Sequence, residues 1–334
     1  MKVDAVITWE LDKAGDMARE LEQMGYAGLK SIETAHDPFL PLLMAAQTTD
    51  RIDLMTGIAV AFARSPMTLA NTAHDLNAAA KGRLTIGLGS QIRPHIMKRY
   101  SMPWSSPAAR MREFIMALRA IWATWYEGAP LEFLGKFYTH TLMTPFFTPT
   151  NTEFGPPCIN LAAVGPLMTE TAGEVADGLL VHGFTTEAYL REHTLPALER
   201  GFAKAGRGRE NFEIVYPVFS ITGNNEEEMA KATVKMREQV AFYGSTPAYK
   251  GVLDSIGVGD LQPELNSMSK QGRWQEMGHL ITDDILDKFA VRGTPTELAQ
   301  EIKTRYGDII DRTAASYTNM DQAASLEFIE AMRA

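Results

Sequence analysis

The chain has 334 residues, a formal net charge of −9, 45% hydrophobic and 22% charged residues, the proportions of a folded chain with a large core. The acidic balance argues against nucleic acid as a partner, the polar start MKVDAVITWELDKAGD against a signal peptide, and the absence of ~18 consecutive apolar residues against a membrane helix. The single cysteine, Cys158, leaves no internal disulfide framework and predicts a soluble protein of the reducing cytoplasm.

In chain order, strand and helix signals alternate. VDAVITW reads as a first strand. Ala14, Met17, Ala18, Leu21 and Met24 then fall at helical spacing, with Gly25 as the stop. AGLKSI is a second strand and PFLPLLMAAQTT mostly helix. RIDLMTGIAV is a third strand. Ser65-Pro66 predicts an N-cap followed by proline at the first helical position, ahead of an apolar stripe through Leu69, Ala70, Ala73 and Leu76. Gly82 precedes a fourth strand, RLTIGLG. Met111, Phe114, Ile115, Leu118, Ile121, Trp122 and Trp125 mark one face of a long helix.

Residues 128–157 break the rhythm with Pro, Gly and aromatics and read as an insertion with a short hairpin. CINLAA is strand five, GLLVH strand six with LREHTLPALERGFAKAG in its helix, and FEIVYPVFSIT strand seven. A helix follows over about 225–243, and residues 244–290 are irregular to helical. Thr294-Pro295-Thr296-Glu297 is a capping box. DRTAASY could be strand eight and AASLEFIEAMR a closing helix.

Eight strands alternating with helices, without a break in composition, predict one (β/α)8 barrel over residues 1–334. An open doubly wound sheet would carry a glycine-rich fingerprint after strand one, and ITWELDKAG has none. In a barrel the functional face is the C-terminal ends of the strands. Those ends hold Trp9 and Glu10, Glu33 to His36, Gly57 to Ala61, Gly89 to Arg93, Ala163 to Met168, His182 to Thr185, Thr222 to Asn224, and Tyr317 to Asn319.

Three of these ends could carry chemistry. In LAAVGPLM the residues Ala162, Ala163, Val164, Gly165 and Pro166 are small or kinked and lead into a helix. The free N–H groups of its first turn would favour an anion, read here as a cofactor phosphate; the bland alternative is a tight structural turn. In IGLGSQIRPH, Gly87 and Gly89 permit close approach, Ser90 and Gln91 offer hydrogen bonds, and Arg93 offers charge. The alternative is a bulge with a surface arginine. In SIETAHDPF, Glu33 and His36 could position a cofactor and shuttle a proton, or form a solvated loop. No metal spacing and no G-x-S-x-G elbow occur.

The stretch AAQTTDRIDLMTGIAVAFARSPMTLANTAHDLNAAAKGRLTIGLGS resembles the core of the bacterial luciferase-like flavin enzymes, with alanine in place of a family serine in AAAKGR. ARMREFIMALRAIW, LAAVGPLMTETAGEVADGLLVH and FAVRGTPTELAQEI extend the resemblance over nearly the whole chain. PWSSPAARMRE, YTHTLMTPFF and AFYGSTPAY look like the branch that uses the deazaflavin coenzyme F420.

The resemblance implies a (β/α)8 barrel with an insertion, binding coenzyme F420 or, alternatively, FMN at the strand ends. It implies a non-proline cis peptide at Gly57-Ile58 against the ring. Gly89 to Gln91 would lie on the ribityl chain, Ala163 to Gly165 and Met168 on the phosphate side, and Glu33 near the ring. The family's deazaflavin dehydrogenases carry a histidine directly after that acid; here Thr34 follows and His36 stands two further on. Hydride transfer between the deazaflavin and a small organic substrate is the implied reaction. Trp9, Phe62, Trp104, Phe146 and Phe147, if they point in, would shape an apolar substrate site. The rivals are an FMN-dependent monooxygenase, a cofactor-free binding subunit, which an occluded strand-five turn would mark, and a hydrolase, for which no carboxylate pair is seen. The apolar helix over 109–126 suggests a homodimer.

Overall fold

The computed structural model describes residues 1–314 and 320–334. Eight parallel strands form its centre: β1 (Lys2–Val6), β2 (Gly28–Ser31), β3 (Asp53–Thr56), β4 (Leu84–Gly89), β5 (Cys158–Ala163), β6 (Gly178–Val181), β7 (Glu213–Tyr216) and β8 (Arg312–Thr313). Neighbours in sequence pair throughout, β3 pairs with β4, and β8 pairs with both β7 and β1, so the sheet closes on itself. The (β/α)8 barrel expected from the alternation is the fold.

The helices begin and end where their local chemistry dictates. Gly25 closes helix α1 (Leu11–Met24) at φ 92°, a left-handed conformation that a side chain disfavours. Ser65 caps helix α2 (Pro66–Ala79) by accepting the Thr68 N–H at 3.1 Å. Thr294 and Glu297 make the reciprocal capping box of the helix Pro295–Tyr306. The stripe of the helix Pro107–Glu127, from Met111 to Trp125, is buried within the chain's own core. It is therefore spent on the barrel, and any dimer would have to use other surfaces.

Two expectations change. Strand seven, read as continuous from Phe212 to Thr222, is two strands. Pro217 has no N–H to give the ladder, and the chain leaves the barrel there. Phe219–Ile221 pairs instead with Ala290–Arg292, and with residues from Phe184 to Phe289 it builds a second core beside the barrel. Thr222 to Asn224 thus follow this outer strand and not the mouth of the barrel. The insertion does contain a hairpin, Phe133–Leu134 against Thr139–His140. Among the described residues strand eight pairs at Arg312 and Thr313, and Tyr317 to Asn319 lie outside them. Among the described residues no helix is long and apolar enough to cross a membrane.

The lower lumen is filled by charge. Arg312 on β8 holds Asp4 on β1 through Nη2 at 2.6 Å and Nε at 3.1 Å, and reaches Asp53 on β3 at 2.7 Å. Lys30 on β2 lies 3.3 Å from Asp4. β1 and β3 are not neighbours in the ring, so these side chains can meet only across its interior. Gly28 makes the room: a Cβ there would lie 2.2 Å from Arg312.

Burial pushes the Asp4 carboxyl up, but the charges of Lys30 and Arg312 outweigh it and the net shift is downward. Arg312 takes the carboxylate bidentately; Lys30, the second cation on one carboxylate, is pulled down by burial. We therefore expect Asp4→Asn to cost about 3–5 kcal/mol at neutral pH, because buried Lys30 loses its carboxylate and Arg312 is left with Asp53 and Glu213 alone. Urea unfolding of the two proteins measures this. The wild-type carboxyl's contribution is present above the ordinary carboxyl pKa of 3.8 and is lost as pH falls below it. The gap between the proteins should therefore narrow in acid.

Candidate active site

Period-two alternation carries the lumen-facing positions upward from Asp4 to Val6 and from Lys30 to Ile32. Above the charges the lumen is closed by one apolar layer: Met55, Leu180 and Val215, with Ile58 and Ala162 packed against them. Above that layer the barrel opens. Val6 is 48% and Ile32 45% exposed, although both stand at interior positions. Apolar side chains left bare at the C-terminal end of a barrel mark a site that takes a ligand.

One wall of this mouth is the peptide Gly57-Ile58, which is cis. The strand resumes at once, Ala59–Val60 pairing with Leu88 and Gly89 of β4. Gly89 leaves space for Ile58: a Cβ at Gly89 would come within 2.6 Å of Ile58 Cδ1.

Glu33 anchors this wall. It is buried, and its Oε2 accepts the Val60 N–H at 2.7 Å and Arg64 Nη1 at 2.7 Å. Its Oε1 accepts the Tyr100 hydroxyl at 3.1 Å, and its own N–H donates to the Ile58 carbonyl at 3.3 Å. Burial and the Glu33 charge push the Tyr100 phenol up, so it stays a donor. Glu33 therefore ties the end of β2 to the cis peptide and to the loop after β4. Arg99 from that same loop also donates to the Thr34 carbonyl.

His36 stands outside this network. It is exposed and stacks on Trp9, with ring planes 6° apart and centroids 5.6 Å apart. Trp9 is 60% exposed. The two rings form a plate at the rim, from the loops after β1 and β2.

In the loop after β4, Gln91 takes φ 56° and its Oε1 accepts the Ile92 N–H at 2.9 Å. The Ser90 hydroxyl donates to the Gln91 carbonyl at 3.2 Å, and Arg93 is exposed beside Met97. At β5, Gly165 is the N-cap of helix α3 (Pro166–Val175) and offers no side chain to it. The first turn is uncapped, and a Cβ at Gly165 would meet nothing within 4 Å. Ala162, Val164 and Met168 are partly exposed and Ala163 is buried. The turn is open, not occluded.

Of the aromatics expected to shape the site, Trp9 reaches the mouth. Phe62 is fully buried, with Trp104 edge-on at 6.0 Å. Phe146 and Phe147 are exposed, but Pro145 and Thr148 beside them line a groove with Thr124, Ala129 and Leu131. That groove adjoins the C-terminal end of a helix running antiparallel to the strands, so these two rings lie at the foot of the barrel. Sequence reasoning missed Tyr100, for which no motif exists, and the part played by Arg64, whose place directly before the Ser65-Pro66 cap was the available signal. Among the described residues no group of three or more His, Cys, Asp or Glu could hold a metal.

A sequence profile of the luciferase-like monooxygenases matches residues 5–312. The chain belongs to this family. An uncharacterised protein of Mycobacterium tuberculosis is 50% identical over 331 residues, 99% of this chain and 96% of its own. A 5,10-methylenetetrahydromethanopterin reductase of Archaeoglobus fulgidus is 25% identical over 290 residues, 86% of this chain and 84% of its own. Among solved structures, the coenzyme F420 dependent tetrahydromethanopterin reductase of Methanopyrus kandleri superposes with a TM-score of 0.81 at 19% identity. That match covers 100% of this chain and 98% of the other, and it shows the shared luciferase-like barrel. Members of the family are oxidoreductases, and this chain is read as an enzyme of that class.

The Glu33 hub makes a stability prediction. Glu33→Ala leaves the Val60 N–H and the Arg64 guanidinium without their buried acceptor. It should lower unfolding free energy by about 2–4 kcal/mol in urea, and Glu33→Gln, which keeps one acceptor oxygen, by about half of that.

Proposed function

We propose that the chain is a coenzyme F420-dependent oxidoreductase that moves a hydride between the deazaflavin and a small organic substrate. The observation that carries this reading is the cradle around the mouth: the cis peptide Gly57-Ile58, seated over Gly89, and the open, uncapped turn Ala162 to Pro166. Flat contact surfaces opposite a bare helix N-terminus suit a ring joined to a phosphate. Gly57 and Ile58 would hold the ring. Gly89, Ser90 and Gln91 would lie on the ribityl chain, with Arg93 beside them. Ala162, Ala163, Val164, Gly165, Pro166 and Met168 would hold the phosphate side.

When bound, the deazaflavin supplies hydride chemistry at its C5. The chain's residues supply the rest. Glu33, with both oxygens committed to protein donors, is a positioning residue that fixes the cis peptide. His36 and Trp9 form the rim plate against which an apolar substrate would lie. Support for a hydride acceptor and not an oxygenase comes from the reductase relative and from the PWSSPAARMRE, YTHTLMTPFF and AFYGSTPAY stretches. FMN-dependent oxygenation is the second reading, which the family's name favours.

Fluorescence titration of the purified protein with coenzyme F420 and, separately, FMN tests this. Tight F420 binding with weak FMN binding is expected. The reverse result moves the chain to the monooxygenases, and binding of neither makes it a cofactor-free member. Gly165→Glu should weaken F420 binding by tenfold or more without changing the thermal midpoint. The new carboxylate would stand at the anion position, and the backbone there, φ −84°, accepts any residue.

A further inference from the structure

We propose that His182, at the C-terminal end of β6, is a neutral hydrogen-bond donor that polarises the carbonyl oxygen of a ketone or aldehyde substrate. This rests on the oxidoreductase reading and names the substrate class of the same mouth.

The position follows from strand parity. Gly178 and Leu180 face the lumen, the first against Asn160 and the second in the apolar layer with Met55 and Ile58. His182 is the next interior position, about 6–7 Å higher along the strand. It therefore stands above the layer, on the open side, across from the cis peptide. β5 and β6 are in register with Ala163 opposite Val181. His182 accordingly adjoins Val164 of the turn read as the cofactor's phosphate side. Tyr189 donates to the Val164 carbonyl at 3.1 Å, which fixes that edge.

The tautomer follows from one hydrogen bond. The backbone N–H of Phe184 donates to His182 Nδ1 at 3.0 Å. A backbone N–H can only donate, so Nδ1 carries no proton and, in the neutral ring, Nε2 carries it. Among the described residues no other group hydrogen-bonds the imidazole, and the side chain is partly exposed. Nε2–H is the free end of a ring whose other end is fixed.

The surroundings keep the ring neutral. Tyr243 stands edge-on with centroids 4.7 Å apart and Tyr249 lies tilted at 5.0 Å. Among the described residues these phenols are the titratable groups in ring contact with it. Burial alone lowers the His182 pKa to about 4, and burial raises that of Tyr249 to about 12. Histidine thus carries no charge across the physiological range, and neither does the Tyr249 phenol.

A neutral donor discriminates. An imidazolium would favour carboxylates and phosphates in the ground state. A neutral Nε2–H suits an uncharged carbonyl whose oxygen gains charge only as the reaction proceeds. Because Nδ1 is occupied, the ring cannot take a proton at Nε2 without losing the one it holds, so it serves as a donor and not as a base. In the reduction, the carbonyl carbon gains the hydride, whose source is reduced coenzyme F420. The carbon–oxygen π pair moves to oxygen, which takes its proton from water at the open mouth. The Nε2 proton stays on nitrogen and stabilises the developing charge. The bare Val6, Ile32 and Trp9 surfaces would receive an apolar body on that carbonyl.

The deciding test is histidine-detected 1H–15N spectroscopy of the protein without cofactor, from pH 5 to 8, with His182→Gln to assign the signal. Expected are an unprotonated Nδ1, a protonated Nε2 and no titration in that range. Adding cyclohexanone as the probe should shift the Nε2 and Hε2 signals, and methylcyclohexane, of similar shape without the oxygen, should not. A protonated Nδ1, an imidazolium at pH 7, or an Nε2 signal unmoved by the ketone overturns the proposal. A second arm uses the F420-loaded protein. His182→Phe keeps a ring in the Tyr243–Tyr249 box and removes the donor. It should lower kcat for ketone reduction about 100- to 1,000-fold while leaving the F420 dissociation constant unchanged. His182→Gln, which returns an N–H near the Nε2 position, should recover a large part of the loss. Wild-type kcat in His182→Phe overturns the role. Failure of F420 to bind the wild type instead sinks the cofactor reading and leaves the spectroscopic arm to decide this one.

Discussion

The bidentate pairing of Arg312 with Asp4 is the constraint on which the barrel depends. It joins the last strand to the first from inside, where no turn or helix could do so. A ring of parallel strands has no covalent reason to close, and its lumen is too narrow for water to solvate a lone charge. A buried guanidinium that holds Asp4 and reaches Asp53 and Glu213 has only one arrangement in which all its partners are satisfied. That arrangement sets which strands are opposite one another. The desolvation of so much charge makes such a cluster a poor source of net stability and a strong source of specificity, because any other register strands a charge.

The charged layer also decides which end of the barrel is free. Asp4, Lys30, Asp53, Glu213 and Arg312 occupy the lower lumen. The apolar layer of Met55, Leu180 and Val215 seals them from above. What remains is a shallow bowl at the C-terminal ends of the strands, floored by Ile58 and Ala162 and rimmed by Val6, Ile32 and Trp9. Two of its polar groups among the described residues, Glu33 and His182, accept hydrogen bonds from the backbone and so present fixed geometry. A site of that kind favours chemistry whose charge appears only transiently.

The family resemblance set Glu33 near the cofactor ring; in the structure it stands at the end of β2 beside the cis peptide. Its carboxylate, however, is fully occupied by Val60, Arg64 and Tyr100. It acts through the peptide it holds. His36 was paired with it on sequence proximity, but two residues of loop are enough to turn the ring away from the carboxylate and onto Trp9.

The sequence by itself determined the order of elements, the eight-fold alternation, the caps at Ser65, Gly25 and Thr294, and the open small-residue turn at Gly165. These are local: each depends on side chains within a few residues, and their chemistry is the same in any context. Hydrophobic alternation also placed the strand ends, and through them most of the residues that gather at the mouth. Only the tertiary structure decided which of them meet. The break of strand seven at Pro217, the second core from Phe184 to Phe289, the descent of Phe146 and Phe147 to the foot of the barrel, and the box of Tyr243 and Tyr249 around His182 all join residues tens of positions apart. Periodicity records which face of an element is buried and is silent on what buries it. That partner is chosen when the ring closes, by packing and by the need of each buried charge and donor for a counterpart.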